Sequence, residues 1–540
     1  QPLAELDAVP WEALNAGDVV AIHARPAPYR GKFVLARSGT AAQPIVVRGV
    51  ADAAGALPVI DGDGATTRHA LDYWNENRAV IKVGGASIPA GPAQHIVIEA
   101  LVVRGAHPSH GFTDDNGNPA SYSTNAAAIF IEDGAFITVR RCELTASGNG
   151  LFVANLSSDI TVEESYLHGN GNVGSIFEHN SYTEARGMHY RFNRFGPLRA
   201  GAGGNNLKDR SAGLVVAYNW IEDGNRQLDL VDSATFAATA PTAYATTFVY
   251  GNVLIEHDGE GNRQLVHYGG DSGNTAAYRK GTLHFYHNTV VSERSGRTTL
   301  FRLATDDERA DIRGNIFFNA GDPQTLELAT SAGHYAFRDN WLRASYVTSF
   351  DAAFSGVVTH TNSLSGDDPG FSDRLAQDYR PHPEAAVVAA GSALAAAVLP
   401  LHDVTHEYVT PGRPAARRQR PARPRRAAAC GRRSRRGHPR TVRRPSCPVP
   451  AGAGPGLGST TVRGRGQAWR RRGLNTWGRC RAACAGTTGF SHEEDTPGDD
   501  VAPLQARHPA MRFSTSRARP ARVAPIRRED QCRDRSEERR

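Results

Sequence analysis

The sequence predicts an all-β chain, a right-handed parallel β-helix of about ten or more coils, on three observations. First, a motif returns along it. Arg-Phe-Asn193, Ala-Tyr-Asn219, Tyr-Gly-Asn252, Tyr-His-Asn288, Arg-Gly-Asn315, Arg-Asp-Asn340 and His-Thr-Asn362 each run into an apolar residue two places on. Upstream, the same slot is assigned to Ala100, Cys142 and Ser165. Second, from Cys142 the slots are 23, 28, 26, 33, 36, 27, 25 and 22 residues apart, room for short strands and turns but not for a long helix. Third, 55 Gly and 31 Pro against 2 Met indicate many turns rather than helical bundles. The spacing is too short for propeller blades, and the Leu-x-x-Leu-x-Leu frame of a leucine-rich solenoid is absent.

The elements follow in chain order. Residues 1–64 read as an N-terminal cap and first coils, with Gly39–Gly49 and Pro58–Gly62 as strand–turn units; a solenoid needs its ends covered. Residues 65–410 form the body. Stacked coils lie about 4.8 Å apart, and an Asn in each corner slot can accept and donate along the stack, leaving no polar group unpaired. These Asn are structural on this reading. The stretch from Asp368 to about Tyr408 is expected to close the far end.

Residues 411–540 are of another kind. They hold 32 Arg, no Lys and 10 Asp or Glu, which leaves 30 basic against 45 acidic residues for 1–410, a net of −15. The overall basic balance therefore belongs to the tail and is no sign of nucleic-acid binding by the body. With 11 Ile, Leu, Val or Phe in its length, the tail buries too little apolar surface to offset chain entropy, so disorder is expected. Its Arg/Pro/Ala/Gly bias looks like GC-rich coding read out of frame; polyanion binding is the alternative. Five of the six Cys lie in it, and Cys142 alone in the body forms no disulfide. The chain opens at Gln1 without a hydrophobic leader, and is expected to be a mature secreted or periplasmic form. Its most apolar stretch, Ala385–Leu399, falls short of the roughly 20 residues that span a bilayer, so no membrane span is expected, and a monomer is.

A second column precedes the Asn slots, in frames such as Ile176-Phe-Glu-His179, Leu207-Lys-Asp-Arg210, Leu228-Asp-Leu-Val231 and Leu265-Val-His-Tyr268. Alternation sends the second and fourth positions outward, and stacking aligns them in a strip. In the middle coils the strip reads His179, Lys208 with Arg210, Asp229 and Tyr268. Lys208 is one of four Lys in the chain, where Arg is the usual cation. Each residue alone also fits a bland role: a packed His, a solvated Lys, a salt-bridged Asp. The clustering carries the functional reading.

At this point the chain resembles secreted β-helix proteins of the polysaccharide-lyase type, the chondroitinase B and alginate lyase superfamily. Asn206-Leu-Lys-Asp-Arg210 looks like their catalytic Lys element. His179-Asn180-Ser-Tyr182, Leu228-Asp-Leu-Val-Asp232 and His267-Tyr-Gly-Gly270 look like elements of related bacterial polysaccharide-degrading proteins. The resemblance covers roughly residues 15–400. It implies β-elimination on an acidic polysaccharide, with such a Lys as base and an Arg as acid; here we expect Lys208 as base, Arg210 as carboxylate clamp, and His179 or Tyr268 protonating the leaving oxygen. Asn180, Tyr182, Asp229, Asp232 and His267 would contact substrate, and Arg191, Arg199, Arg226 and Arg263 would add subsite charge. A free Lys has a pKa of about 10.4, so the base role requires Lys208 to be lowered.

No cofactor is expected, calcium being the one candidate kept open, and no metal ligand set is assigned. The acidic calcium ligands expected before the Lys coil are absent, since Gly201-Ala-Gly-Gly-Asn-Asn206 stands there. Asp114, Asp115, Asn116 and Asn118 have calcium-loop composition without the spaced terminal Glu, so a turn is expected there. Two alternatives stay open. A glycoside hydrolase on the same fold would use paired carboxylates such as Asp229 and Asp232. A non-catalytic glycan-binding surface protein would use exposed aromatics such as Trp74 in Leu71-Asp-Tyr-Trp-Asn75.

Overall fold

A computed structural model describes residues 3–391, 393–408 and 418–419. The expected tail lies outside the described residues but for that last pair. The chain winds as a right-handed parallel β-helix. Its coils build three long sheets of 12, 11 and 13 strands. The first sheet runs from Val19–His23 to Val357–Thr361, the second from Val59–Asp61 to Leu364–Gly366, and the third from Pro119–Ser121 to Leu326–Ser331. Apart from the hairpin Gly111–Thr113/Pro119–Ser121 at one edge, their pairings are parallel. Alternate side chains such as Ile137, Ile160, Leu207 and Leu228 turn inward and fill one continuous apolar lumen.

The Asn slot forms the corner between the first two sheets. The amide nitrogen of Asn193 donates to Asn219 at 3.0 Å, Asn219 to Asn252 at 3.0 Å, Asn252 to Asn288 at 2.9 Å, Asn288 to Asn315 at 3.1 Å and Asn315 to Asn340 at 2.9 Å. Each Oδ1 also receives the preceding rung's backbone N–H, and all six side chains are buried. The ladder is shorter than expected at both ends. Arg140 pairs with Glu99 and Arg338 with Thr361, which puts Leu101 and Ser363 in the slot, not Ala100 and Asn362. Those two instead occupy the left-handed corner position one residue earlier, with φ of 57° and 51°.

Trp11 stacks on Phe33 at 3.8 Å and covers the first coils. The C-terminal stretch behaves differently from the expected end cap. It packs along the flank, with Leu394, Val398, Val404 and Tyr408 on the aromatic row Phe192, Tyr218, Tyr250 and Tyr286. Phe371 and Tyr379 cover Trp220, Ile255, Val291 and Trp341 on the second sheet. The physical reason is the apolar outer face those rows create. No helix among the described residues is long and apolar enough to cross a membrane.

Candidate active site

The third sheet carries one outward column fixed by its register. Val34, Lys82, Phe130, Phe152, Tyr182, Lys208, Asp229, His267, Arg302 and Thr330 are successive partners. This corrects the strip read from the sequence. Val266, not Leu265, pairs with Leu228, so His267 faces outward and Tyr268 inward, where it is fully buried. Phe301, the partner of Val266 in the next coil, also lies in the lumen. In the earlier coil Tyr182, not His179, stands beside Lys208. The loops between the Asn corner and the third sheet vary in length, so offsets counted from the Asn do not carry across.

Lys208 Nζ donates to Asp229 Oδ2 at 2.9 Å and also to Asp271. Two residues on, Arg210 Nη2 donates to Asp271 Oδ1 at 2.9 Å and its Nε to the Tyr182 hydroxyl at 2.9 Å. One carboxylate therefore bridges both cations. Asp271 follows Gly269 and Gly270 on a loop pinned by Asp232, whose Oδ1 accepts the Asp271 N–H at 2.9 Å and lies 3.4 Å from Arg210 Nη1. Asp229 is nearly inaccessible and fully partnered. Asn205 Nδ2 donates to its Oδ2 at 2.7 Å, and His267 Nδ1 contacts its Oδ1 at 2.8 Å. Arg226 stands 3.9 Å from the same oxygen.

The electrostatics follow from this pairing. Burial alone would favour a neutral Lys208, but Asp229 and Asp271 outweigh it and raise its pKa, opposite to the lowering that a base requires. Burial likewise works against the Asp229 and Asp271 carboxylates, yet the cations beside them hold both below the usual range. His267 is pushed down by burial, against the pull of Asp229, and stays neutral. His179 is buried and pushed down to about 3, by burial first and then by Lys208. Its Nδ1 accepts the Asn205 N–H at 2.8 Å and its ring meets Tyr182 edge-on at 5.3 Å, so it braces the loop ahead of the Lys coil.

Other expected contacts lie elsewhere. Asn180 is fully buried and sits in a second internal amide ladder, donating to Asn206 Oδ1 at 2.8 Å and accepting from Asn170 at 2.9 Å, so it cannot touch a substrate. Trp74 is exposed but stands at the Lys82 rung, several coils from Lys208. Arg263 is exposed on the turn before Gln264–Tyr268. Arg191 belongs to the first sheet, paired with Glu163 at 2.6 Å. Arg199 donates to the Gly171 carbonyl at 2.8 Å. Asp114 accepts the N–H groups of Asn116 and Asn118, which makes that segment a self-satisfied hairpin turn.

Sequence reasoning missed three contributors. Asp271 was signalled only by the Gly-Gly-Asp-Ser-Gly run after a strand. Asn205 lies beside the Lys element without a distinguishing pattern. Arg279 reads as a surface residue beside Lys280 but is fully buried beneath the site, 3.2 Å from Asp209. Asp209 also accepts Thr183 Oγ1 at 2.7 Å and Ser211 Oγ at 2.8 Å, so the lumen side of the Lys strand is a satisfied polar network.

The fold and site thus define a parallel β-helix whose third sheet carries a cluster of paired cations and carboxylates on its outward face. Among solved structures, the chain is similar to an alginate lyase from Paenibacillus sp. str. FPU-7 at 13% identity, covering 66% of this chain and 93% of that one, with a TM-score of 0.28. It is similar to pectate lyase Pel9A at 12% identity, covering 72% and 86%, with a TM-score of 0.33. It is also similar to DFA-IIIase from Arthrobacter chlorophenolicus A6 at 11% identity, covering 64% and 89%, with a TM-score of 0.36. No family model matches the sequence, and no curated protein does.

Proposed function

We propose that this protein is a glycan-degrading enzyme that cleaves uronate-containing polysaccharide by β-elimination in the third-sheet groove. The observation that supports this reading most is Asp271, a carboxylate seated across Lys208 and Arg210. A pair of cations that accepts one carboxylate through both oxygens suits the carboxylate of a uronic acid. Neutralising that group lets the negative charge that develops at C5 delocalise into it. Lys208, held protonated, then acts as part of the clamp rather than as the base. Tyr182, partly exposed and hydrogen-bonded by Arg210, is the proton-exchanging group beside the clamp. With its hydroxyl proton first released to solvent, the Tyr182 oxygen takes the C5 proton; the C4–oxygen bond breaks, a C4–C5 double bond forms, and the proton passes from Tyr182 to the leaving oxygen, regenerating the phenolate.

A specific observation supports the hydrolase reading as well. Hydrolysis needs a carboxyl that keeps its proton. Burial raises Glu184, whose Oε1 accepts Ser233 Oγ at 2.6 Å in the rung before Arg210. The two readings separate in one assay. Residues 1–410 are incubated with alginate, polygalacturonate and chondroitin sulfate, and products are followed by ultraviolet absorbance of the unsaturated uronate end and by reducing ends. Absorbance that disappears in Arg210→Ala and Tyr182→Phe supports elimination. Reducing ends without absorbance, lost in Glu184→Gln, overturn it.

A further inference from the structure

A groove of about 650 Å³ opens on the outer face of the first sheet, away from the Lys208 site. Its floor is the outward row Val97, Thr138, Thr161 and His189, successive partners in the sheet. Its rim carries His95 and Phe136, whose rings stack at 4.6 Å and 5°. Asp159 follows them in the same left-handed column, with φ values of 50°, 57° and 54° along it. A bulky residue in that conformation is strained, by about 1–3 kcal/mol. At Phe136 burial does not repay the strain, because the residue remains 50% exposed.

The same device recurs further along this sheet with something seated on it. Phe192 and Tyr218 occupy left-handed corners in adjacent coils and stack at 5.1 Å and 10°. The imidazole of His406 meets both rings at 5.5 Å. In that case the chain's own C-terminal stretch supplies the covering group. Among the described residues, that stretch packs on the Phe192–Tyr286 row and not on the Phe136 pair.

We propose that the His95–Phe136 groove is a second carbohydrate-binding site and that it takes a neutral pyranose chain. An exposed ring face suits the apolar face of a sugar ring. The hydroxyls of Thr138 and Thr161, the Asp159 carboxylate and the Arg191 guanidinium surround it, and these donors and acceptors suit a sugar's equatorial hydroxyls. The exposed Asp159 carboxylate at the platform disfavours a polyanion there. The site would hold the enzyme on insoluble or composite material while the third-sheet groove works on another strand. It does not depend on the reaction assigned to that groove.

The test is native affinity electrophoresis of the full chain in gels containing xylan, mixed-linkage β-glucan or galactomannan, together with Phe136→Gly and Asp159→Ala. Phe136→Gly relieves the backbone strain, so a folding defect is not expected; thermal melting checks this. The expected result is retardation of the unmodified protein on at least one of these polymers, a tenfold or greater rise in Kd for each variant, and unchanged turnover of soluble oligosaccharides. Equal retardation of Phe136→Gly and unmodified protein overturns the proposal, as does absence of retardation on all three.

Discussion

Replacing Asp271 with Asn tests whether that carboxylate stands in for a substrate group. The side chain is 32% exposed and makes hydrogen bonds to two cations, Lys208 and Arg210. A hydrogen bond to a charged group contributes about 1.5–3 kcal/mol when buried, and partial exposure reduces that to roughly 0.5–1 kcal/mol each. A substrate carboxylate that must displace both loses about 1–2 kcal/mol of its binding, which is about 5- to 30-fold in affinity. Steady-state kinetics on a uronate polymer should therefore show KM falling by that factor in Asp271→Asn, with kcat changed little. The loop should stay in place, because Asp232 still accepts the residue 271 N–H. A hundredfold loss of kcat would refute the reasoning and place Asp271 in the chemistry itself. A rise in KM would refute it as well.

Four further outcomes are expected. Arg210→Ala should lower kcat/KM by roughly 10²–10³, the usual loss for removing a preorganised donor to developing charge, with the far-UV circular dichroism spectrum unchanged. Asn252→Ala leaves the Asn219 N–H and the Val216 carbonyl without their ladder partner, so denaturant titration should show a loss of about 2–4 kcal/mol. Arg279→Leu leaves the buried Asp209 carboxylate uncompensated and should cost about 3–5 kcal/mol by the same measurement. The depressed Asp229 carboxyl contributes stability that is fully present above the ordinary Asp pKa of about 3.9 and is lost as pH falls through its own lower value. Unfolding followed from pH 6 to about pH 2 should accordingly show a smaller acid decline in Asp229→Asn than in the unmodified protein.

Much of the coil architecture was legible because one corner imposes the same demand in every turn. A buried amide that must both give and receive along the stack leaves Asn as the natural choice, and Asn193 to Asn340 display it. The reading slipped at Ala100 and Asn362, where the slot residues are Leu101 and Ser363 and the motif's outline misleads by one place. The groove was partly legible. Lys208, Arg210, Asp229 and His267 do face it together, while Tyr268 and Asn180 do not. A one-residue slip reverses a strand's faces, and the connection 257–263 between Val253–Glu256 and Gln264–Tyr268 shifts the count. The charge state of Lys208 was not legible, because its partner Asp271 comes from a loop in another coil, 63 positions away.

The Asn corner also bears on how such a chain changes over generations. Turns along it range from 25 to 36 residues in length, yet the amide chain runs unbroken from Asn193 to Asn340. One edge of the spiral therefore serves as a keel, and the other two edges are free to grow. Whole turns could be duplicated or deleted with the seam rejoined, whereas a single extra residue inside the keel would dislocate every strand that follows it.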